Sequence, residues 1–344
     1  MTNLVSITPS EMFTALDYAW GKKEATFFHG PSGVGKTWQI RAWAKHQAAK
    51  MGLEFYQVGV DEKPDDWEKT FALIEYRVAL QDVLDIKGAP TIEDGNTVFK
   101  VPSSLPDIKK HGKFGMFFLD ELAQGAPSVT NGLSQIVYDR MMGENYRLPD
   151  EWLIVAAGNR KEDHANTSKV GAQMYNRFIH FEVTPDVKSW CDYQLGQGSD
   201  GRVPAFIRSV SNEDGSDHLH DYKKNDIAFS TPRMMSKVDE FITEDFVRGD
   251  LREKIVASHI GVPLARKLCV FLELADQLAT WSEIIKTPET ARFPEQGSDQ
   301  AVSAYYVLMG MCAKRVDEAT IDNAMTYIRR IHNVELQSVF VLDL

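Results

Sequence analysis

Short apolar runs punctuate the first half of the chain, and each stops at a polar or charged residue. Ala25-Thr26-Phe27-Phe28-His29 is apolar and β-prone and predicts a buried strand. Gly115-Met116-Phe117-Phe118-Leu119 runs directly into Asp120 and Glu121, and Trp152-Leu153-Ile154-Val155-Ala156-Ala157-Gly158 ends on Asn159. A strand covered on both faces needs an uninterrupted apolar run, so both predict interior strands of a parallel sheet. Phe178-Ile179-His180-Phe181-Glu182-Val183 predicts a last sheet strand. Runs at 53–60 and 76–80 also read as strands, and either fits as the next strand after the first. Between them, 65–74 reads as a helix with acidic residues in its first turn.

Helices are expected between these strands, at 38–50 and 128–142. Thr8-Pro9-Ser10-Glu11 is a capping box that opens a helix to about Trp20. That helix either flanks the site described below or is ordinary packing. Residues 89–106 read as a loop or hairpin around Asp94-Gly95-Asn96, 143–149 as a turn with short flanking strands, and 160–169 as a mobile polar loop. Past Thr184 the character changes. Thr184-Pro185 starts a helix, loops follow at 196–201 and 211–217, and Ser230-Thr231-Pro232-Arg233 caps a mostly helical segment reaching residue 334. The apolar tail at 339–344 reads as a docking segment.

Between the first strand and its helix lies Gly30-Pro31-Ser32-Gly33-Val34-Gly35-Lys36-Thr37, which fits the phosphate-loop pattern G-x-x-x-x-G-K-[ST]. Its glycines let backbone N–H groups turn inward toward phosphate oxygens, and the helix N-terminus adds partial positive charge. Lys36 is placed to reach β- and γ-phosphates, and the Thr37 hydroxyl to ligate Mg2+. Asp120, at the carboxyl end of an interior strand, is a second Mg2+ candidate, and Glu121 a general base for water. Asn159 is positioned to orient that water or touch the γ-phosphate, although an Asn after a strand is also an ordinary turn residue. Arg177 offers a surface guanidinium to a neighbouring subunit's γ-phosphate, against the plainer alternative of a solvated or salt-bridged arginine. Arg233, in a helix's first turn, opposes the helix dipole, which points to a role on nucleotide phosphates. His218 and His220 sit close together, but without further ligands they read as surface loop.

Length and charge narrow the picture. At 344 residues the chain has room for roughly two domains. A net charge of −11 argues against coating nucleic acid as the main task. Cys191, Cys269 and Cys312 are widely spaced and odd in number, as expected of reduced thiols in a cytosolic protein. No basic-then-apolar leader and no long apolar run is evident, so a soluble protein is expected, with no membrane involved.

The motifs at 30–37, 117–122, 156–159, 176–178 and 231–233 occur in one order, and together the chain resembles the AAA+ ATPases, within them the MoxR-like or dynein-related group of bacterial or phage type. The resemblance covers about residues 25–288 and implies an α/β fold. That fold is a P-loop NTPase parallel sheet of order 5-1-4-3-2 flanked by helices, followed by a small all-α lid. The nucleotide-binding domain would span 1–225, with inserts near 52–74 and 91–106, and the lid and tail 226–344. Residues 82–90 look like the stretch that follows the family's second strand, which favours 76–80 as that strand. The resemblance implies ATP and Mg2+ as cofactors, with Asp120 and Glu121 on the second nucleotide motif and Asn159 on the first sensor. It places Arg177 on a finger acting in trans and Arg233 on the second sensor. Arg140 is left as a further trans-acting candidate with nothing else in its support.

It also implies a homo-oligomer, a hexameric ring, remodelling a separate protein partner, in some relatives one with a von Willebrand A domain. The location implied is cytoplasmic, in a bacterium or in a phage's host. Two other functions fit the motifs. One is an ATPase acting on nucleic acid, such as a helicase or restriction-type translocase, which the acidic balance disfavours. The other is a weakly hydrolysing nucleotide-gated scaffold, which an intact Glu121 disfavours.

Overall fold

The computed structural model describes residues 4–160, 171–214, 218–221, 227–244, 247–275, 279, 281–293 and 318–330. The chain forms two compact units, Met1–Thr184 and Pro185–Leu344. The expected loop at 161–169, Cys312 and the tail at 339–344 lie outside the described residues.

The first unit is built on a seven-stranded parallel sheet. Its strands are β1 (Val5–Ile7), β2 (Thr26–His29), β3 (Glu54–Gln57), β4 (Thr70–Arg77), β7 (Phe114–Asp120), β10 (Trp152–Gly158) and β11 (Ile179–Val183). Hairpins β5 (Pro90–Glu93) with β6 (Asn96–Phe99) and β8 (Met141–Met142) with β9 (Tyr146–Arg147) stand apart from it. The order is β1-β11-β2-β10-β7-β4-β3. Its middle five strands, numbered along the chain, run 5-1-4-3-2 as expected, and β1 and β3 add an edge strand on each side.

Alternate side chains of the interior strands enter two separate cores. Phe27, Phe117, Leu119 and Ile154 pack with Leu133 and Ile136 of the helix Pro127–Asp139. Phe28, Met116, Phe118 and Val155 pack with Leu16 of α1 (Met12–Lys22) and with Ile40 and Trp43 of α2 (Lys36–Lys50). All seven residues of β10 are buried, which is why that run carries no polar side chain. The capping box before α1 is present: Glu11 N–H donates to Thr8 Oγ1 at 3.3 Å, and Thr8 N–H to a Glu11 carboxylate oxygen at 2.7 Å.

The region after α2 departs from expectation. The helix expected over 65–74 is absent, and the second sheet strand is Thr70–Arg77, not 76–80, which instead passes into a 3-10 turn at Val78–Leu80. The acids at 65–68 belong to a different feature. Asp66 accepts from Glu68 N–H at 3.0 Å and caps a 3-10 turn, Trp67–Lys69. Phe71 and Leu73 then enter one core and Ala72 and Ile74 the other, the alternation of a doubly covered strand. The run at 53–60 yields the edge strand β3, paired in parallel with β4. The stretch read as an insertion therefore supplies sheet.

The second unit is helical. It contains Val187–Gly196, Arg202–Asp214, Pro232–Glu244, Asp250–Ile260, Val262–Ala275, Trp281–Lys286 and Glu318–Ile328. The first two helices share one apolar core with the later ones, and the first occupies the segment opened by Thr184-Pro185, with Asp186 as its cap. The loop expected at 211–217 is helix as far as Asp214. Asp239 ties this unit together, accepting from Gln194 Nε2 at 2.9 Å and Ser199 Oγ at 2.8 Å, and burial pushes its carboxyl up to about 6. Among the described residues no helix is long and apolar enough to cross a membrane.

Trp152 opens β10 wholly buried, its Nε1–H donating to Gly112 O at 3.2 Å, and its ring occupies the space a side chain at Gly115 would need. Trp152→Ala should lower the unfolding free energy by about 3–5 kcal/mol, read as an earlier urea midpoint.

Candidate functional site

Three parallel strands deliver the candidate groups to one edge of the sheet. β10 pairs with β2 at Gly158↔His29 and with β7 at Ala156↔Leu119. Gly30 and Asn159, each following its strand, and Asp120, the last residue of β7, therefore lie at neighbouring positions along that edge. Gly30 donates its N–H to Gly158 O at 3.3 Å, and its φ of +152° and the Val183 carbonyl 2.4 Å from where a Cβ would sit demand glycine. Gly35, at φ +108°, is the N-cap of α2, and no side chain caps that helix end. The first amides of α2 thus face a position suited to an anion.

Lys36 is buried, and its Nζ donates to Gly30 O at 2.7 Å, Pro31 O at 2.9 Å and Asn159 Oδ1 at 3.4 Å. Thr37 Oγ1 donates to Asp120 Oδ2 at 3.3 Å. The sequence candidates Lys36, Thr37, Asp120 and Asn159 are thereby joined by direct contacts. Burial pushes the Asp120 carboxyl up, the Glu121 amide N–H (3.0 Å from Oδ1) opposes this, and the negative Glu75 and Glu121 add to it. A hard divalent cation suits such a place: one hydroxyl and one carboxylate oxygen point together, amid surplus negative charge, and Mg2+ takes few protein ligands. Among the described residues no group of three or more metal-ligating side chains exists.

Glu121 follows Asp120 with φ +55° and ψ +33°, the left-handed region. For a non-glycine residue this costs about 1–2 kcal/mol, a strain found where a side chain must point in a functional direction. Among the described residues no hydrogen bond or ion pair holds its carboxylate.

Two features of the site were missed in the sequence. Glu75 in β4, nearly buried, is gripped by Arg41 of α2 (Nε 2.8 Å, Nη2 2.5 Å to Oε2) and lies 3.5 Å from Arg77. An acid inside an apolar strand was the available signal. The second feature is a histidine pair: His29 Nε2 lies 2.9 Å from His180 Nδ1, and His180 Nε2 lies 2.7 Å from Tyr175 O. A carbonyl only accepts, so His180 carries its proton on Nε2 and His29 donates from Nε2 to His180 Nδ1. Burial, then His180 and Lys36, hold His29 down to about 4.

The arginines separate clearly. Arg177 precedes β11 at the opposite end of the sheet. The strand pairs Ile179 with Thr26 and Glu182 with His29, so about 16 Å of backbone separates Arg177 from the loop level. It is exposed and does not join the Lys36 cluster. Arg140 is tied to the backbone: its Nη2 donates to Pro149 O at 2.7 Å, Trp152 O at 2.7 Å and Asp150 O at 3.4 Å, bracing the entry to β10. Arg233 is exposed in the first turn of its helix in the second unit, where Thr231 Oγ1 accepts Met234 N–H at 3.1 Å. His220 packs edge-on against Phe229.

No protein-family model and no curated protein matches the chain. Among solved structures it is similar to NtrX from Brucella abortus, at 14% identity and TM-score 0.39, covering 99% of this chain and 69% of that one. A Thermotoga maritima RuvB mutant matches at 15% identity and TM-score 0.37, covering 81% and 74%. Hsp104, imaged with a nucleotide and casein, matches at 13% identity and TM-score 0.38, covering 77% and 46%. Similarity this low leaves the geometry to carry the interpretation.

With His29 neutral in the fold and protonated near pH 6.5 when unfolded, the fold binds fewer protons between about pH 4 and 6.5. Its contribution to stability is complete above about pH 6.5 and is lost as pH falls to about 4. Chemical denaturation of His29→Gln should show a shallower fall in stability across that window than the parent protein.

Proposed function

We propose that this chain is a Mg2+-dependent ATPase of the AAA+ class whose site is shared between adjacent subunits of an oligomer. The observation that carries it is the convergence of Lys36, Thr37, Asp120 and Asn159 on one edge of the sheet, with Arg177 exposed at the other. Residues 30–37 cradle the triphosphate, and Lys36, at the loop's mouth, meets its β- and γ-oxygens. Thr37 and Asp120 would hold Mg2+, which would neutralise phosphate charge. Glu121 takes a proton from the attacking water while Asn159 orients it. The water oxygen bonds to the γ-phosphorus, the bond to the β–γ bridging oxygen breaks, and ADP departs. Arg177 is too far along its strand to serve its own loop, so it completes the neighbour's site. Arg233 is assigned to the nucleotide phosphates as well.

The finer assignment is a hexameric, MoxR-like remodeller of a separate protein partner, a von Willebrand A domain protein being one form, working in the cytoplasm of a bacterium or phage host. The motif order in the sequence supports it, and the net charge of −11 sets it ahead of action on nucleic acid.

Lys36→Ala should lose ATP binding, measured by calorimetry. Glu121→Gln alone and Arg177→Ala alone should each be nearly inactive, the latter losing roughly 10³-fold or more. An equimolar mixture should recover about a quarter of the parent turnover, because random assembly around a head-to-tail ring pairs an intact Glu121 with an intact Arg177 at that fraction of interfaces. A mixture no more active than its components excludes the shared site. Turnover stimulated by DNA in a salt-dependent manner would replace the protein-remodelling assignment with a nucleic-acid one.

A further inference from the structure

Arg177 and Arg140 border the same cleft of about 410 Å³, together with Lys23, Tyr138 and Asn176. The two guanidiniums are held in opposite ways. Arg140 is tied to the backbone through one nitrogen, Nη2, which faces three carbonyl oxygens. Arg177 lies over the phenol ring of Tyr138, its Cζ 3.4 Å from the ring centroid, and among the described residues its guanidinium makes no hydrogen bond or ion pair. Glu24 and Asp139 line the clefts on either side of it without pairing to it.

The choice of partner has a chemical consequence. A carboxylate would fix a guanidinium by occupying two of its five N–H donors and cancelling its charge. An aromatic face fixes the plane through cation–π attraction and leaves every in-plane donor and the full charge available. Tyr138 is itself about half exposed, at 53%, so the stacked pair sits at the surface where a ligand from outside the chain can reach the guanidinium edge. Polar amides border the stack, Gln135, Gln173 and Asn176, in an adjoining cleft of about 610 Å³.

We infer that Tyr138 is a positioning residue: it holds Arg177 over its ring, charged and with its donors unspent, for an oxyanion presented by a second copy of this chain. This rests on the shared-site ATPase reading and adds a residue to it. Because Tyr138 would act on the neighbour's site, its loss should lower kcat and leave the KM for ATP unchanged.

The experiment measures ATP turnover of Tyr138→Phe, Tyr138→Leu and Arg177→Ala, each alone and each mixed with Glu121→Gln. Tyr138→Phe keeps the ring and should stay within about twofold of the parent. Tyr138→Leu should lose about 3- to 20-fold in kcat at constant KM. Per subunit with intact Glu121, the rate of Tyr138→Leu should rise on mixing with Glu121→Gln, whose Tyr138 and Arg177 are intact. Tyr138→Gln, suited to an exposed helical position, repeats the test should the leucine variant not fold. Parent-like kcat in a folded non-aromatic variant, or a loss that mixing does not relieve, overturns the inference while leaving the shared site standing if Arg177→Ala is inactive. Full activity of Arg177→Ala removes the shared site and this inference together.

Discussion

Parallel register across β2, β10 and β7 is the constraint on which the site depends. β2 and β10 each contribute a group just past the last paired residue, Gly30 after His29 and Asn159 after Gly158, and β7 contributes its final residue, Asp120, paired with Arg77 of β4. A slip of one residue in any of these strands would turn its side chains to the other core and carry its polar terminus out of range. The two cores resist such a slip, since Phe27 and Phe28, or Phe117 and Phe118, are committed to opposite faces. Large, shape-specific burial thus does more than stabilise the sheet. It sets the spacing of hydroxyl, carboxylate, amide and ammonium that chemistry on a phosphate would need.

Electrostatics then differentiate the two ends of the sheet. At the loop end, a buried ammonium faces carbonyl oxygens and Asn159, and three acids, Glu75, Asp120 and Glu121, lie close enough to influence one another. Arg41 offsets the innermost acid, so the negative surplus falls on Asp120 and Glu121. At the other end the arrangement is cationic, with Lys23, Arg140 and Arg177 around one cleft. Lys23 pairs with Glu151 at 2.8 Å and Arg140 is tied through Nη2 to carbonyls, whereas Arg177 stacks on Tyr138. The sheet of the first unit therefore carries an acidic cluster at one end and a cationic one at the other.

What was legible in the sequence followed from locality. The glycine loop, the run ending in Asp120 and the run ending in Asn159 are continuous in the chain, and doubly covered strands leave an unmistakable apolar signature. The strand at Thr70–Arg77 was misplaced because Asp65, Asp66 and Glu68 imitate the acidic first turn of a helix, whereas Asp66 in fact caps a 3-10 turn. Glu75 with Arg41, His29 with His180, and Arg177 with Tyr138 are pairings between distant segments. Nothing in the local pattern of either partner announces the other. The same limit applied to Arg140, whose carbonyl partners come from the turn beyond the β8–β9 hairpin.

The close approach of Val183 to Gly30 has a consequence for how the sheet tolerates change. The carbonyl that ends β11 occupies the place where any side chain at position 30 would begin. Alanine there would have to prise the strand's terminus from the loop or unwind the turn, and no rotamer offers an escape because the obstacle is backbone. The segment leading out of Arg177 and the first residue of the glycine turn thus approach too closely for any side chain between them. The carbonyl is there whatever side chain position 183 carries, so the restriction falls on position 30, and only the residue without a side chain lets both keep their places.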